Sequence, residues 1–353
     1  MKNNQKILYL EWLRLIAAFA VLLLHVVCTP FSMYPACFSE KEAFLIRFLR
    51  NFCNWGVPVF VMITGSLLLS SEKDLTLKKL FLKYIKRFVI VIVVFGTLYS
   101  LMEIVFIEKT FNLVILGRAI LNTAKGMSWD HMWYVYMTVG LYALLPLFRT
   151  FTFALESMAL QDRKRAEKKL QYSLFILFLI NSVIPYILFF IDVKNDLPSV
   201  SIYIFFLLLG YAVEKWNFCA KTKTAILLVV IYAVYIALIQ FYPPVLVQSE
   251  PSLKTVGNDS PFTVFAAFGI FSLLKNVCKT RKGSRFVEVF SPLTFGIYLV
   301  HPVAINLCYK FFKITPDNYS CIVSLGITLC VTILFSIFVS LILKKLPGFK
   351  KII

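Results

Sequence analysis

Apolar positions along this chain fall into long continuous runs separated by short polar connections. The first run, Ile7 to Val27, reads ILYLEWLRLIAAFAVLLLHVV, close to the roughly 20 residues an α-helix needs to cross a bilayer core. Nine more follow, giving runs at 7–28, 53–70, 85–107, 131–149, 172–191, 199–216, 224–243, 261–278, 289–309 and 320–343. None shows the period-two alternation of barrel strands, so each predicts a spanning helix, which satisfies its own backbone groups in lipid. The expected fold is an all-α integral membrane bundle of about ten transmembrane helices. No connection is long enough for a soluble domain, so residues 1–353 form a single membrane domain. No internal repeat is evident, which weakens an inverted-repeat transporter.

Composition agrees: 59% of residues are hydrophobic and the mean hydropathy is +0.80. The formal charge of +19 could suggest a nucleic-acid partner, but its distribution argues for topology instead. Of 37 Lys and Arg, 26 fall in the six segments on the side of the amino terminus, 10 in the five opposite segments, and Arg14 lies within a span. By the positive-inside rule both termini are cytoplasmic, and the charge serves anionic lipid rather than nucleic acid. The amino terminus has the basic and apolar regions of a signal peptide. It lacks a small-x-small cleavage site and so reads as an uncleaved first span. Eight scattered cysteines without C-x-x-C argue against a metal site.

The polar exceptions inside the runs carry the chemistry. Glu11, Arg14 and His25 lie in the first span, where an ionisable group costs at least ~2.5–3.5 kcal/mol and therefore faces protein or a wet cavity. Arg14 and His25 are 11 positions apart, which places them on one helix face about 16 Å apart along the axis. Glu11 can pair with Arg14 three residues on. In the second run, Gly56, Gly65 and Ser66 permit close helix approach. The outer segments 29–52 and 108–130 contain apolar stretches with spaced charges, such as AFLIRFLRNF, suited to lying at the interface or capping a cavity. The fourth run opens DHMWYVYM, with His131, Trp133 and Tyr134 at its outer end. The ninth places His301 before Pro302, whose missing N–H frees a carbonyl that needs a partner. His25, His131 and His301 are the only histidines, and all fall in or at the edge of spans in the outer half.

Imidazole exchanges protons near neutral pH, as a general base for a hydroxyl must. Arginine presents a permanent forked cation for phosphate or carboxylate. The residues alone imply a polar membrane cavity, which a proton-coupled transporter would also use. ATP-binding, HExxH and GxSxG motifs are all missing.

LEWLRLIAAFAVLLLH, with arginine, ten residues and histidine, resembles the signature of the acyltransferase-3 family of bacterial integral membrane O-acyltransferases. VPVFVMITGSLLL, HMWYVYMTVGLYALLPLF and SPLTFGIYLVHP resemble three later family elements in the same order. The resemblance implies a multi-pass protein of the bacterial plasma membrane that takes an acyl group, usually acetyl, from cytoplasmic acyl-CoA. It passes that group to a hydroxyl of a surface glycan or lipid-linked saccharide. No bound cofactor is implied, since acyl-CoA is a co-substrate. Arg14 and His25 are implied to be essential; Glu11, His131, His301, Trp133 and Tyr134 are supporting candidates. Some members carry a fused hydrolase-like or racemase domain, and neither is expected here. The sequence leaves open whether His25 deprotonates the acceptor or is itself acylated. A non-enzymatic exporter or flippase of a polysaccharide intermediate is the alternative function.

Overall fold

A computed structural model describes residues 8–190, 201–241, 256–278 and 284–352. The beginning of the chain and the segments 191–200, 242–255 and 279–283, which carry part of the charge count and four run ends, lie outside the described residues. The described residues are helical, with no strand among them.

Helix α1 is Leu8–Met33. The outer segment then folds as α2 (Glu40–Phe52), started by a capping box in which the Ser39 hydroxyl accepts from the Glu42 N–H and Glu42 accepts from the Ser39 N–H. A 3-10 turn, Cys53–Trp55, joins α2 to α3 (Gly56–Leu68). There follow α4 (Leu77–Glu108) and the amphipathic α5 (Leu113–Ala124). Next come α6 (Asp130–Gln161), α7 (Arg163–Leu188), α8 (Ile202–Lys215) and α9 (Thr222–Ile239). The chain ends in α10 (Pro261–Val277), α11 (Arg285–Phe311) and α12 (Cys321–Lys345). Among the described residues, eight helical stretches are long and apolar enough to cross a membrane, one of them α2 and α3 taken together through the 3-10 turn as Glu40–Leu68. The runs read at 199–216 and 261–278 form α8 and α10, of 14 and 17 residues, below that length.

The six segments read as one side of the membrane meet at one end of the bundle. Tyr9 donates to Glu214, whose carboxylate lies 3.7 Å from Lys275. Lys215 pairs with Glu72 at 2.8 Å. The Arg87 Nε donates to the Ile352 carbonyl at 2.5 Å. Arg149 in α6 donates to the carbonyls of Leu68, Ser70 and Lys73, the last at 2.8 Å, filling acceptors that the end of α3 leaves open. An arginine that the sequence counts as loop charge is thus a buried helix cap.

The tightest crossing lies between α3 and α8. A Cβ on Gly65 would stand 1.8 Å from the Leu207 carbonyl oxygen, and one on Gly210 would stand 1.9 Å from that of Met62. Ser66 spans the same crossing, its hydroxyl donating to the Gly210 carbonyl at 2.8 Å. The small residues of the second run therefore do the packing expected of them. They also hold α3 so that Gly56 sits against Ala17 and Val21 of α1.

Gly65→Val forces two backbones apart and is expected to cost at least about 3 kcal/mol, the upper range for overpacking. Gly117→Ala, which meets nothing within 4 Å on α5, should be neutral or slightly stabilising. Thermal unfolding in detergent checks both; a Gly65→Val protein as stable as Gly117→Ala would contradict the close crossing.

Candidate active site

Helices α1 and α11 run parallel and touch at two levels. At the inner level, Arg14 Nη1 lies 2.5 Å from Glu11 Oε1, and the Ser291 hydroxyl donates to Glu11 Oε2. The carboxylate expected to pair with Arg14 does so, and it also ties α1 to α11. Arg14 borders a cavity of about 510 Å³ whose wall includes Lys73, Tyr84, Arg87 and Tyr142. No carboxylate appears in that wall among the described residues, so Lys73 and Arg87, with Arg14 paired to Glu11 behind the wall, make it cationic. Arg87 is held over the Phe295 ring, 5.0 Å from its centre.

The cavity ends outward at Tyr134 and Tyr298, whose rings meet edge to face with centres 5.5 Å apart. Behind them lies the second level of contact. The His25 and His301 ring centres are 5.0 Å apart, and those of His131 and His301 are 5.6 Å apart. All three histidines of the chain, from α1, α6 and α11, meet at one point.

Pro302 explains how His301 is held. A residue with an N–H at 302 would donate to the carbonyl of Tyr298, four residues back. The His301 Nδ1 takes that place, 2.7 Å from the Tyr298 oxygen. A carbonyl only accepts, so Nδ1 carries the proton and Nε2 of the neutral ring keeps a free lone pair. His131 is tied to α11 through its carbonyl, which accepts from the Tyr298 hydroxyl. The Nε2 atoms of both rings are buried without a hydrogen-bond partner. His131 and His301 are 3% and 1% exposed, whereas His25 is half-buried. The repair role read for His301 from its neighbour Pro302 is present, and it leaves the other ring nitrogen available for chemistry.

Other candidates separate. Tyr134 stands in the partition between cavity and cluster. Trp133, one residue earlier, is 42% exposed and packs on Tyr203 with ring centres 5.9 Å apart, away from the histidines. Sequence reasoning did not single out Lys73, Arg87, Ser291 or Tyr298. Ser291 and Tyr298 stand in SPLTFGIYLVHP, seven residues apart and hence on one face, a signal that was there to be read. Lys73 and Arg87 look like ordinary inner-side charge until the bundle closes.

Fold and site define a polytopic helical membrane protein with a cation-walled cavity leading to a buried imidazole cluster. The family model described as an acyltransferase domain matches residues 7–344, nearly the whole chain, and the chain belongs to this family of membrane acyltransferases. No curated protein and no solved structure gives a match.

Replacing His301 by Ala strands the buried Tyr298 carbonyl and should cost about 1–3 kcal/mol of stability. In a Pro302→Ala background the new N–H reaches that carbonyl, so the same replacement should cost about 1 kcal/mol less. Denaturant unfolding of the four proteins measures the difference. Equal costs in both backgrounds would disprove the repair.

Proposed function

We propose that this acyltransferase moves a short acyl group, acetyl being the simplest, from cytoplasmic acyl-CoA to a hydroxyl of a cell-surface glycan or lipid-linked saccharide in the bacterial inner membrane. The observation that supports this most is the succession along α1: a cation-walled cavity, a two-tyrosine partition and then three imidazoles. The inner end, basic by the positive-inside rule, is the cytoplasmic one. There Arg14, Arg87 and Lys73 suit the phosphates of CoA, and the narrow pantetheine arm follows the cavity toward Tyr134 and Tyr298.

In the direct route, the acceptor enters from the outer side and its hydroxyl meets His25. His25 takes the proton as the oxygen attacks the thioester carbon. A C–O bond forms, the C–S bond breaks, and the departing CoA sulfur recovers the proton from the imidazolium. The products are an ester and CoA thiol. The free Nε2 atoms of His131 and His301 accept from neighbouring hydroxyls and so orient the acceptor. In the covalent route His25 would itself carry the acyl group, and one equivalent of CoA would appear without acceptor.

Purified protein in lipid nanodiscs, supplied with labelled acetyl-CoA and extracted surface glycolipid, should release CoA and label the lipid. His25→Ala should lower the rate about 10²–10⁴-fold, the usual worth of a general base. Arg14→Ala should raise the KM for acyl-CoA about tenfold or more through the lost charge-assisted contact. A fully active His25→Ala protein would remove the base. Movement of the saccharide across the membrane without thioester consumption would favour an exporter.

A further inference from the structure

The outer stretch AFLIRFLRNF forms most of α2, and its two arginines differ in what they touch. Arg47 is committed: its Nε donates to Gln240 Oε1 at 3.0 Å and its guanidinium lies 6.0 Å from the Phe31 ring centre. Arg50, one turn later, forms no ion pair among the described residues. Its Nη1 is buried without a hydrogen-bond partner. The guanidinium reaches the side chain of Cys28 and lies within electrostatic range of His25. Asp130 is also within that range but is exposed at the start of α6 and makes no pair with Arg50. The carboxyl end of α2 offsets part of the Arg50 charge, yet supplies no acceptor for Nη1.

A guanidinium has five donors, and enclosing Nη1 away from any acceptor, in a residue that is otherwise part-exposed, is unfavourable unless an anion completes the set. The position identifies the anion's source. Cys28 lies three residues, about 4.5 Å of helix rise, beyond His25 on the outer side. The cations suited to the donor's phosphates lie inward, with Arg14 11 residues, about 16 Å, on the other side of His25. Arg50 therefore faces what comes from outside. We infer that Arg50 holds an anionic group of the acceptor, so that the acceptor is an alcohol carrying a phosphate or carboxylate on a carbon close to the hydroxyl that His25 activates. The assignment of that anion to the acceptor rests on the acyl-transfer reading; the anion site rests on the buried, unpartnered Nη1.

The test reads binding without acyl-CoA, in neutral-lipid nanodiscs. A Lys73→Gln, Arg87→Gln background removes two cations of the inner cavity and leaves the Glu11–Arg14 pair in place. Glycerol 1-phosphate, glycerate and glycerol are titrated while the unfolding midpoint is followed. The two anions should bind and glycerol should not, and adding Arg50→Gln should weaken the anions about thirtyfold or more. Arg50→Lys, which keeps the charge without the fork, should fall between. Whichever anion binds more tightly tells phosphate from carboxylate. Equal binding with and without Arg50, equal binding of glycerol, or no binding overturns the site. A midpoint shift from phosphatidylglycerol in the disc, with none from soluble anions, would make the anion a lipid headgroup and overturn the acceptor assignment. Binding through Arg50 in a protein that transfers no acyl group would retire the transferase reading and leave the anion site standing.

Discussion

The carboxylate of Glu11, gripped between Arg14 and Ser291, is the contact on which the interior depends. Without a local anion, a long cationic side chain this close to a helix end would extend toward the headgroups. Glu11 turns it instead to the wall of an internal cavity. The same carboxylate uses its second oxygen on α11, which fixes the rotation of that helix against α1. Tyr298 lies two turns beyond Ser291 on the same face, and His301 follows it to meet His25. One ion pair thus sets both the charge of the inner cavity and the register of the imidazole cluster.

The second constraint is the rule that backbone groups in lipid find partners within the protein. Pro302 violates it locally, and His301 answers with one ring nitrogen. That answer also fixes the tautomer, which a histidine free to rotate would not have. A proline kink is therefore a means of orienting a lone pair. His131 is tied to the same helix through its carbonyl, which accepts from the Tyr298 hydroxyl. Neither device needs a charged neighbour, which matters where a carboxylate partner would itself need burial.

Much of this was legible before folding. Among the described residues the ten runs fall on ten of the twelve helices, because continuous apolar stretches have no other stable form in lipid. The pairing of Glu11 with Arg14 follows from spacing, and Gly65 and Ser66 from size. The convergence of three histidines from runs 1, 4 and 9 does not, since it depends on the mutual rotation of three helices. Arg149 shows the opposite failure: identical in sequence terms to solvated loop charge, it is a buried cap for α3. Trp133 and Tyr134 are adjacent and chemically alike, yet helical geometry sends one to the outside and the other to the partition.

Two buried lone pairs with no donor are an unusual feature to retain, since each leaves a desolvated acceptor costing about 1–3 kcal/mol. The cost has a purpose if the proposed acceptor supplies the missing donors, because a site built this way rejects an apolar molecule of the same shape. The partition of Tyr134 and Tyr298 serves the same end from the other side. Standing between the inner cavity and the cluster, the two rings separate the lone pairs from that cavity, where water would satisfy them and abolish the discrimination. The stability given up at the histidines is then the source of selectivity for a hydroxylated acceptor over the lipid that surrounds it.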